Sequence, residues 1–316
     1  MSGNHAGFTA IAACWVCEGR NLKKVGVAPI DLSEFRDEDA LLAAYSGTSV
    51  SLQRCAACGF VQPGALPSLP RFFDRMYNQL WSADWIQREF ESSYKDMIFT
   101  GILRALAARL PASRRALLDV GAHAGRFMRL AQAGGWRVEG LELNPRTASH
   151  AAARTGAPVH RLNADMVDSL GRRFDAVTLT DVLEHMPDPV AMLRRVHAVL
   201  APQGWVAVKV PNGPAQWFKE HARARLSRGY APRVANSLVH VNHFSPRSLR
   251  VALERAGFDR VAVGAGAPEL LPDPGAGPAV SNVLRRVSYG VSRALPGGIH
   301  TPFAFNLQAY ARQSEG

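Results

Sequence analysis

No run of about eighteen purely apolar residues occurs in the chain, which excludes a membrane-spanning helix. The opening residues, MSGNHAGFTAIAAC, lack the basic start of a secretory signal, and AIAAC is too short for its apolar stretch; the expected compartment is the cytoplasm. Cysteine is sparse, four in 316 residues, so a disulfide-stapled scaffold is excluded. There is no internal repeat, and hence no solenoid or propeller. Acidic residues are in deficit: 37 Lys and Arg against 26 Asp and Glu leave a net charge of +11, carried mostly by arginine. Residues 213–260 hold nine of the basic groups against three acids, six of the eleven excess charges. That patch is either a solvated face or a surface for an anionic partner. What remains, 47% apolar and 20% charged residues, is the composition of a globular protein long enough for one large domain plus an appendage.

The four cysteines come as two C-x-x-C pairs, Cys14/Cys17 and Cys55/Cys58, with 37 residues between the pairs. Four thiolates match tetrahedral structural zinc, and Gly59 directly after the last thiol suits a tight knuckle turn. The rival readings are a redox pair, which needs only one C-x-x-C, and two disulfides, which a reducing compartment disfavours. A site closed by four thiolates leaves no open position for chemistry.

Residues 1–65 read as the cysteine module, ending near the Pro-rich QPGALPSLP. Apolar spacing of three and four predicts helix from Arg71 to Leu110, broken by Pro111. Beyond it, short apolar runs alternate with amphipathic stretches: strands over 116–120, 137–141, 158–161, 174–180 and 205–210, with helices from about 124, from Pro145 and near 187–200. Such alternation predicts a parallel sheet with helices on both faces. A helix capped by Ser245 and closed by Gly257 follows, then strands over RVAVGA and over FAFNLQAYAR, 303–312.

The loop DVGAHAG follows the first of these strands and opens a helix, the context in which glycines mean ligand binding. A dinucleotide fingerprint would put glycines at 121, 123 and 126; the chain has Gly121, His123 and Arg126, so a smaller ligand suits it better. Histidine is among the non-glycine residues that tolerate positive φ, at a strain of about 1 kcal/mol. Glu142 lies 23 residues after Asp119 at the end of the next strand, where an acid accepts from a ribose diol in nucleotide-binding α/β folds.

In order, LLDVGAHAGRF, VEGLELNP, FDAVTLTDVLEHMPDP, LAPQGWVAVKVPN and HVNHFSPRSLRVALERAGF resemble the successive motifs of class I S-adenosylmethionine-dependent methyltransferases, over about Ala116 to Phe258. The resemblance implies a Rossmann-like seven-stranded sheet, with 303–312 as its inserted antiparallel strand. It divides the chain into a zinc-ribbon module over 1–65, a helical linker or cofactor-covering segment over 66–115, and a methyltransferase domain over 116–316. The prefix C-x-x-C…C-x-x-C-G-F-V-Q-P resembles the zinc ribbon of some members in bacterial sugar, surface-glycan and secondary-metabolite pathways. By matching position, Asp119, Gly121, His123 and Gly125 would form the loop facing the methionine part, and Glu142 would hold the ribose. Leu143 and Asn144 would flank the adenosine, Asp165 and Met166 the adenine, and Thr180 and Asp181 would approach the methionine amine. His123 departs from the glycine more frequent there.

A sulfonium methyl is already activated, so alignment and water exclusion do most of the work, and a hydroxyl acceptor gains from a neutral histidine base. His185, His240 and His243 are the candidates, each with a packing or capping role as the alternative. Asp181, Glu184 and His185 would share one face of a helix and there could hold a divalent cation. Residues 213–236, aromatic and basic, read as a lid over an anionic or phosphorylated acceptor. The amphipathic, basic stretch 279–295 reads as a packed substrate-side helix in preference to a membrane-surface anchor. The leading function is methylation of a small-molecule hydroxyl on a sugar, nucleotide-sugar or secondary metabolite, with N- and C-methylation open. The alternatives are RNA methylation through ribbon and basic insert, and a non-catalytic binding protein.

Overall fold

The computed structural model describes residues 7–78, 80–230, 236–271 and 278–314. Residues 1–6 of the cysteine module and 231–235 of the expected lid lie outside the described residues.

The N-terminal part holds β1 (Phe8–Ala10), β2 (Leu22–Pro29), a short helix α1 (Ala40–Ala43), β3 (Ser49–Cys55), β4 (Val61–Pro63) and β5 (Ala65–Pro67). β2, β3 and β4 form an antiparallel sheet, and β1 pairs with β5. The Pro-rich stretch expected as a linker is therefore partly strand. Pro63 and Pro67 sit at the ends of strands only three residues long and at an edge, which costs no central ladder bond, and Pro70 lies in the turn beyond.

The helical stretch is broken into α2 (Phe72–Tyr77), α3 (Ala83–Glu91) and α4 (Asp96–Ala107). Ser82 explains one restart, since its hydroxyl accepts from the Trp85 N–H and caps α3; the chain turns extended at Ser92 before α4. The remainder alternates: β6 (Ala116–Val120), α5 (Arg126–Ala133), β7 (Arg137–Leu141), α6 (Pro145–Thr155), β8 (Val159–His160), β9 (Phe174–Thr180), α7 (Pro189–Val199), β10 (Leu200–Pro211), α8 (Gly213–Leu226), α9 (Pro246–Arg255), β11 (Phe258–Gly266), α10 (Pro278–Ala294) and β12 (Asn306–Gln313). Their strands make one seven-stranded sheet in the order β11-β12-β10-β9-β6-β7-β8. β12 runs antiparallel to both neighbours, and the pairs from β10 to β8 are parallel. This is the Rossmann-like methyltransferase sheet that the motif order predicts, with the late strand inserted antiparallel.

Two-residue alternation divides the core. Leu118, Val120, Val177 and Leu179 point into a cluster closed by α7 and α9; Leu117, Ala176 and Ala207 point to the other side, against α4, α5 and α6. The cysteine module is fused to the first cluster. Cys14, Val16, Cys55, Cys58 and Phe60 are buried in it, the Phe60 and Phe244 rings lie 5.1 Å apart, and Val61 and His243 exchange backbone hydrogen bonds of 3.3 and 3.0 Å.

α10 packs against β11, and which of its faces is covered was not foreseen in the sequence. It forms where expected, but its apolar face points outward and its polar face lies against the protein. Beneath it the Glu269 carbonyl and the Leu271 backbone take Arg285 and Asn282, and Tyr289 packs on the apolar cluster that holds Ala207 and Ala267.

Gly125 enters α5 at φ 92, and a Cβ there would stand 3.0 Å from the Ala151 Cβ of α6. Gly125→Ala is expected to cost about 1–3 kcal/mol in urea unfolding; an unchanged midpoint would mean that α5 and α6 can separate freely.

Candidate active site

The carboxyl ends of β6, β7 and β9 converge on a cavity of about 450 Å3. Asp119, Gly121, His123, Glu142, Leu143, Thr180 and Asp181 all line it, as does His185. Glu142 is clamped by backbone: its Oε2 accepts from the His123 N–H at 2.8 Å and its Oε1 from the Asn144 N–H at 2.9 Å. The first of these bonds depends on the left-handed turn at His123, whose φ is 50. The His123 ring meets Trp81 and Trp85 edge-on, each at 5.4 Å, and burial beside the Lys95 charge pulls its pKa down to about 4, so it is neutral near pH 7. Gly121 lies at φ 76, and a Cβ there would stand 2.5 Å from Val182 Cγ2. Asp119 accepts from the Thr178 hydroxyl at 2.8 Å; burial lifts its pKa to about 7.

A second cavity, of about 580 Å3, adjoins the first and shares Lys95, Asp181 and His185 with it. Asp181 stands between them at φ 57, ion-paired to Lys95 at 2.8 Å and to Lys209, which also reaches Glu269 at 3.2 Å. The lysine charges hold the Asp181 carboxyl well below its ordinary range although burial opposes them. Glu184, His185 and His240 line the second cavity, and their ligand-capable atoms lie within 4.8 Å of one another. The Glu184 carboxylate is buried with neither oxygen hydrogen-bonded, and burial raises its pKa well above the usual value. His185 Nδ1 lies 2.5 Å from the Val239 carbonyl oxygen, which can only accept, and 2.8 Å from the Tyr77 hydroxyl, which can accept as well because its own proton reaches the same carbonyl at 3.3 Å. The proton therefore sits on Nδ1, and Nε2 is left basic. Burial lowers the pKa of His185 and brings His240 down to about 3, so both rings are neutral near pH 7.

Several expected site residues stand elsewhere. Gly125 does not line the cavity; its left-handed turn lets α5 and α6 approach. Asn144 is buried as the cap of α6, its Oδ1 accepting from the Arg146 and Thr147 N–H groups; it does not line the cavity itself and meets the site through Glu142 and through its Nδ2, which donates to the Tyr77 carbonyl at 3.2 Å. Asp165 and Met166 are exposed on a 3-10 turn beyond Asn163 and Ala164, which form that part of the wall. His243 lines neither cavity, because its backbone is tied to Val61 and its ring packs against Trp217. The Asp181–Glu184–His185 helix face does not form: only Leu183–His185 is helical, a single 3-10 turn, and His240 takes the place expected for Asp181.

Sequence reasoning missed the residues that close the site from the helical segment, Tyr77, Trp81, Trp85 and Lys95, and Lys209 beneath it. Lys209 had a signal, a lone charge inside WVAVKV, where a buried strand demands a counter-ion. The aromatic residues had none beyond the general amphipathic pattern.

The family profile described as a methyltransferase domain matches residues 90–263, more than half of the chain. The chain belongs to that family. It is an S-adenosylmethionine-dependent methyltransferase. A ubiquinone biosynthesis O-methyltransferase of Xanthomonas axonopodis pv. citri is 27% identical over 194 residues, 59% of this chain and 78% of that protein. The one from Chromobacterium violaceum is 31% identical over 108 residues, 32% of this chain and 47% of that protein. Among solved structures, the plantazolicin methyltransferase BamL, in complex with a triazolic desmethylPZN analog and SAH, superposes with a TM-score of 0.50 at 14% identity. The match covers 77% of this chain and 94% of that one, and it shows the shared fold.

The raised pKa of Asp119 has a stability consequence. Its contribution is fully present below the unfolded value near 3.8 and is lost as pH rises through about 7. In cofactor-free protein, Asp119→Asn should therefore match wild type near pH 4 and exceed it at pH 8 by a few kcal/mol. Parallel unfolding curves at the two pH values check this; an equal gap at both would assign the burial penalty elsewhere.

Proposed function

We propose that this methyltransferase transfers the methyl of S-adenosylmethionine to a hydroxyl of a small, anionic acceptor bound in the second cavity. The observation that carries the reading is the shared wall: Lys95, Asp181 and His185 border both cavities, so a donor in the first and an acceptor in the second meet at His185. The names of the relatives, O-methyltransferases, support a hydroxyl nucleophile. Lys219 and Arg285 on the second cavity's wall support an anionic acceptor such as a phosphorylated sugar or metabolite.

The first cavity fits the cofactor by its donor set. Glu142, aimed by two backbone N–H groups, would accept from both ribose hydroxyls, with Leu143 and Ala164 against the adenine. The Thr180 hydroxyl, buried without a partner, would bond the amino-acid end, which the glycine turn at 121 leaves room to approach. The bound cofactor supplies an electrophilic methyl on a sulfonium. The chain's own part is to orient the acceptor and remove its proton: His185 Nε2 takes it, the Val239 carbonyl holds the resulting imidazolium through Nδ1–H, and Asp181 supplies nearby negative charge. The unpartnered Glu184 oxygens favour a second reading, in which Glu184, His185 and His240 hold a divalent cation against an acceptor diol.

We also assign structural zinc to the four cysteines. Cys14 and Cys58 Sγ are 3.6 Å apart and Cys17 and Cys55 Sγ 3.4 Å, far beyond a disulfide and close to the edge of about 3.8 Å of a tetrahedral zinc–thiolate site.

Glu142→Ala should weaken S-adenosylmethionine binding about 10- to 100-fold by titration calorimetry with the fold intact; unchanged affinity would move the ribose elsewhere. In a labelled-methyl assay with pooled metabolites, His185→Ala should lower kcat about 100-fold or more with little change in cofactor affinity. Unchanged kcat would remove His185 as base, and a rate that tracks added magnesium would favour the cation reading. Purified protein should carry one zinc per chain, and Cys14→Ser should lose it and lower the melting temperature of the whole chain, since the thiols share the catalytic core. Metal-free, fully stable wild type would refute the assignment.

A further inference from the structure

The imidazole of His185 is held from two elements other than its own. Its Nδ1 lies 2.5 Å from the Val239 carbonyl and 2.8 Å from the Tyr77 hydroxyl, and that hydroxyl donates to the same carbonyl at 3.3 Å. The Tyr77 and His240 rings stand edge-on to it at 5.5 and 4.8 Å. A single acceptor settles which ring nitrogen carries the proton but leaves the ring room to swing about it. Acceptors on two elements narrow that swing. Tyr77 is well placed to be the second. It closes α2, and its backbone carbonyl accepts from Asn144 Nδ2 at 3.2 Å. Asn144 in turn caps α6 and gives its own N–H to Glu142, so the phenol starts from a fixed point of the fold.

We propose that Tyr77 is a positioning residue for methyl transfer: its hydroxyl, shared between His185 Nδ1 and the Val239 carbonyl, holds the imidazole with Nε2 free for the acceptor. The assignment rests on His185 being the base. It adds the residue through which the segment covering the first cavity fixes that base, since Tyr77 lines the first cavity alone and His185 lines both. Orientation of this kind governs rate, because a misplacement of about 1 Å can cost about 100-fold. The bond also strengthens as the reaction proceeds. Once Nε2 has taken the acceptor's proton, the positive ring donates through Nδ1–H to two oxygens in place of one. A role in packing alone would need the phenyl ring of Tyr77 and not its oxygen. The charged and titratable groups facing His185 are Asp181 and Glu184 on its own turn, Lys95 of α4, Lys209 of β10, and His240. Removing the Tyr77 oxygen leaves all five in place.

The test is Tyr77→Phe, which removes the hydroxyl and keeps the ring, run beside His185→Ala and the double variant in the full-length protein. With labelled S-adenosylmethionine and pooled metabolites, Tyr77→Phe should lower the rate at saturating pool about tenfold or more. The pool dilution that gives half the rate, and the cofactor affinity, should each change less than about twofold. In the double variant the Tyr77 change should add nothing to His185→Ala, because a positioning group is silent once the group it positions is gone. Losses that multiply would make Tyr77 independent of His185 and overturn the proposal. Two-bond proton–nitrogen spectra of protein labelled with nitrogen-15 histidine give a readout free of the acceptor. The wild-type His185 ring should show the single Nδ1–H form, and Tyr77→Phe should shift or broaden that signal. An unchanged rate or an unchanged His185 signal in Tyr77→Phe overturns the proposal. Full rate in His185→Ala removes the base itself and the proposal with it, whereas a crippled His185→Ala beside an unimpaired Tyr77→Phe removes only the assignment of Tyr77.

Discussion

The carboxylate of Asp181 ties the site together. It bridges Lys95, at the start of α4, and Lys209, near the carboxyl end of β10, while its own backbone turns left-handed at the end of β9. Three charges taken this far out of water are tolerable only together, because each alone would cost several kcal/mol. The triad joins the covering helices to the sheet edge, and the partition it makes is what divides one cleft into two cavities. It also commits Asp181: with both oxygens occupied by lysines, this residue sets geometry and field beside His185 and is not a spare acceptor.

The cysteine knuckles serve the same economy of shared structure. Glu18 and Gly59 take positive φ in the two turns, and the Glu18 and Gly59 N–H groups return to the Cys14 and Cys55 carbonyls at 2.8 and 2.9 Å. Next to the second knuckle, Phe60 enters the catalytic core against Phe244, and Val61, in the module's own core, pairs with His243. That segment continues from Val241 and Asn242, whose N–H groups donate to the Glu184 carbonyl. The module thus stands one segment behind the Glu184–His185 turn, as a buttress for it, and His243 is the residue through which that support passes.

Most of the sheet was legible in the sequence, because strand and helix periods differ and the runs ALLDV, RVEGL and FDAVTLT are strands to the residue. Asp119, Glu142 and Thr180 were legible for the same reason, since a strand's end fixes where its last side chains point. Asn144 and Asp165 misled because their motifs continue past the strand, where local capping decides orientation; Asn144 is a better helix cap than ligand, and the Asn163 turn carries Asp165 outward. The second cavity was scarcely legible. It is assembled from Lys95, Lys209, His240, Glu269 and Arg285, far apart in sequence, and of these only His240 stood out as a site candidate. The packed position of α10 was legible but not which of its faces turns inward, because amphipathicity gives a helix two faces and does not say which one the protein covers.

The histidine in the glycine loop is where these strands of argument meet. A glycine at 123 would reach the left-handed turn without strain and would still present its N–H to Glu142. It would leave the space between that turn and the covering segment empty. The imidazole fills it, edge-on to Trp81 and Trp85, and so fastens the segment between α2 and α3 over the Glu142 end of the cavity. Two aromatic contacts of about 0.5–1.5 kcal/mol each outweigh a backbone strain of about 1 kcal/mol. The substitution therefore converts a bare loop into a clasp, and the ring performs it while neutral, as a packing group whose burial keeps it from competing for charge with the cofactor.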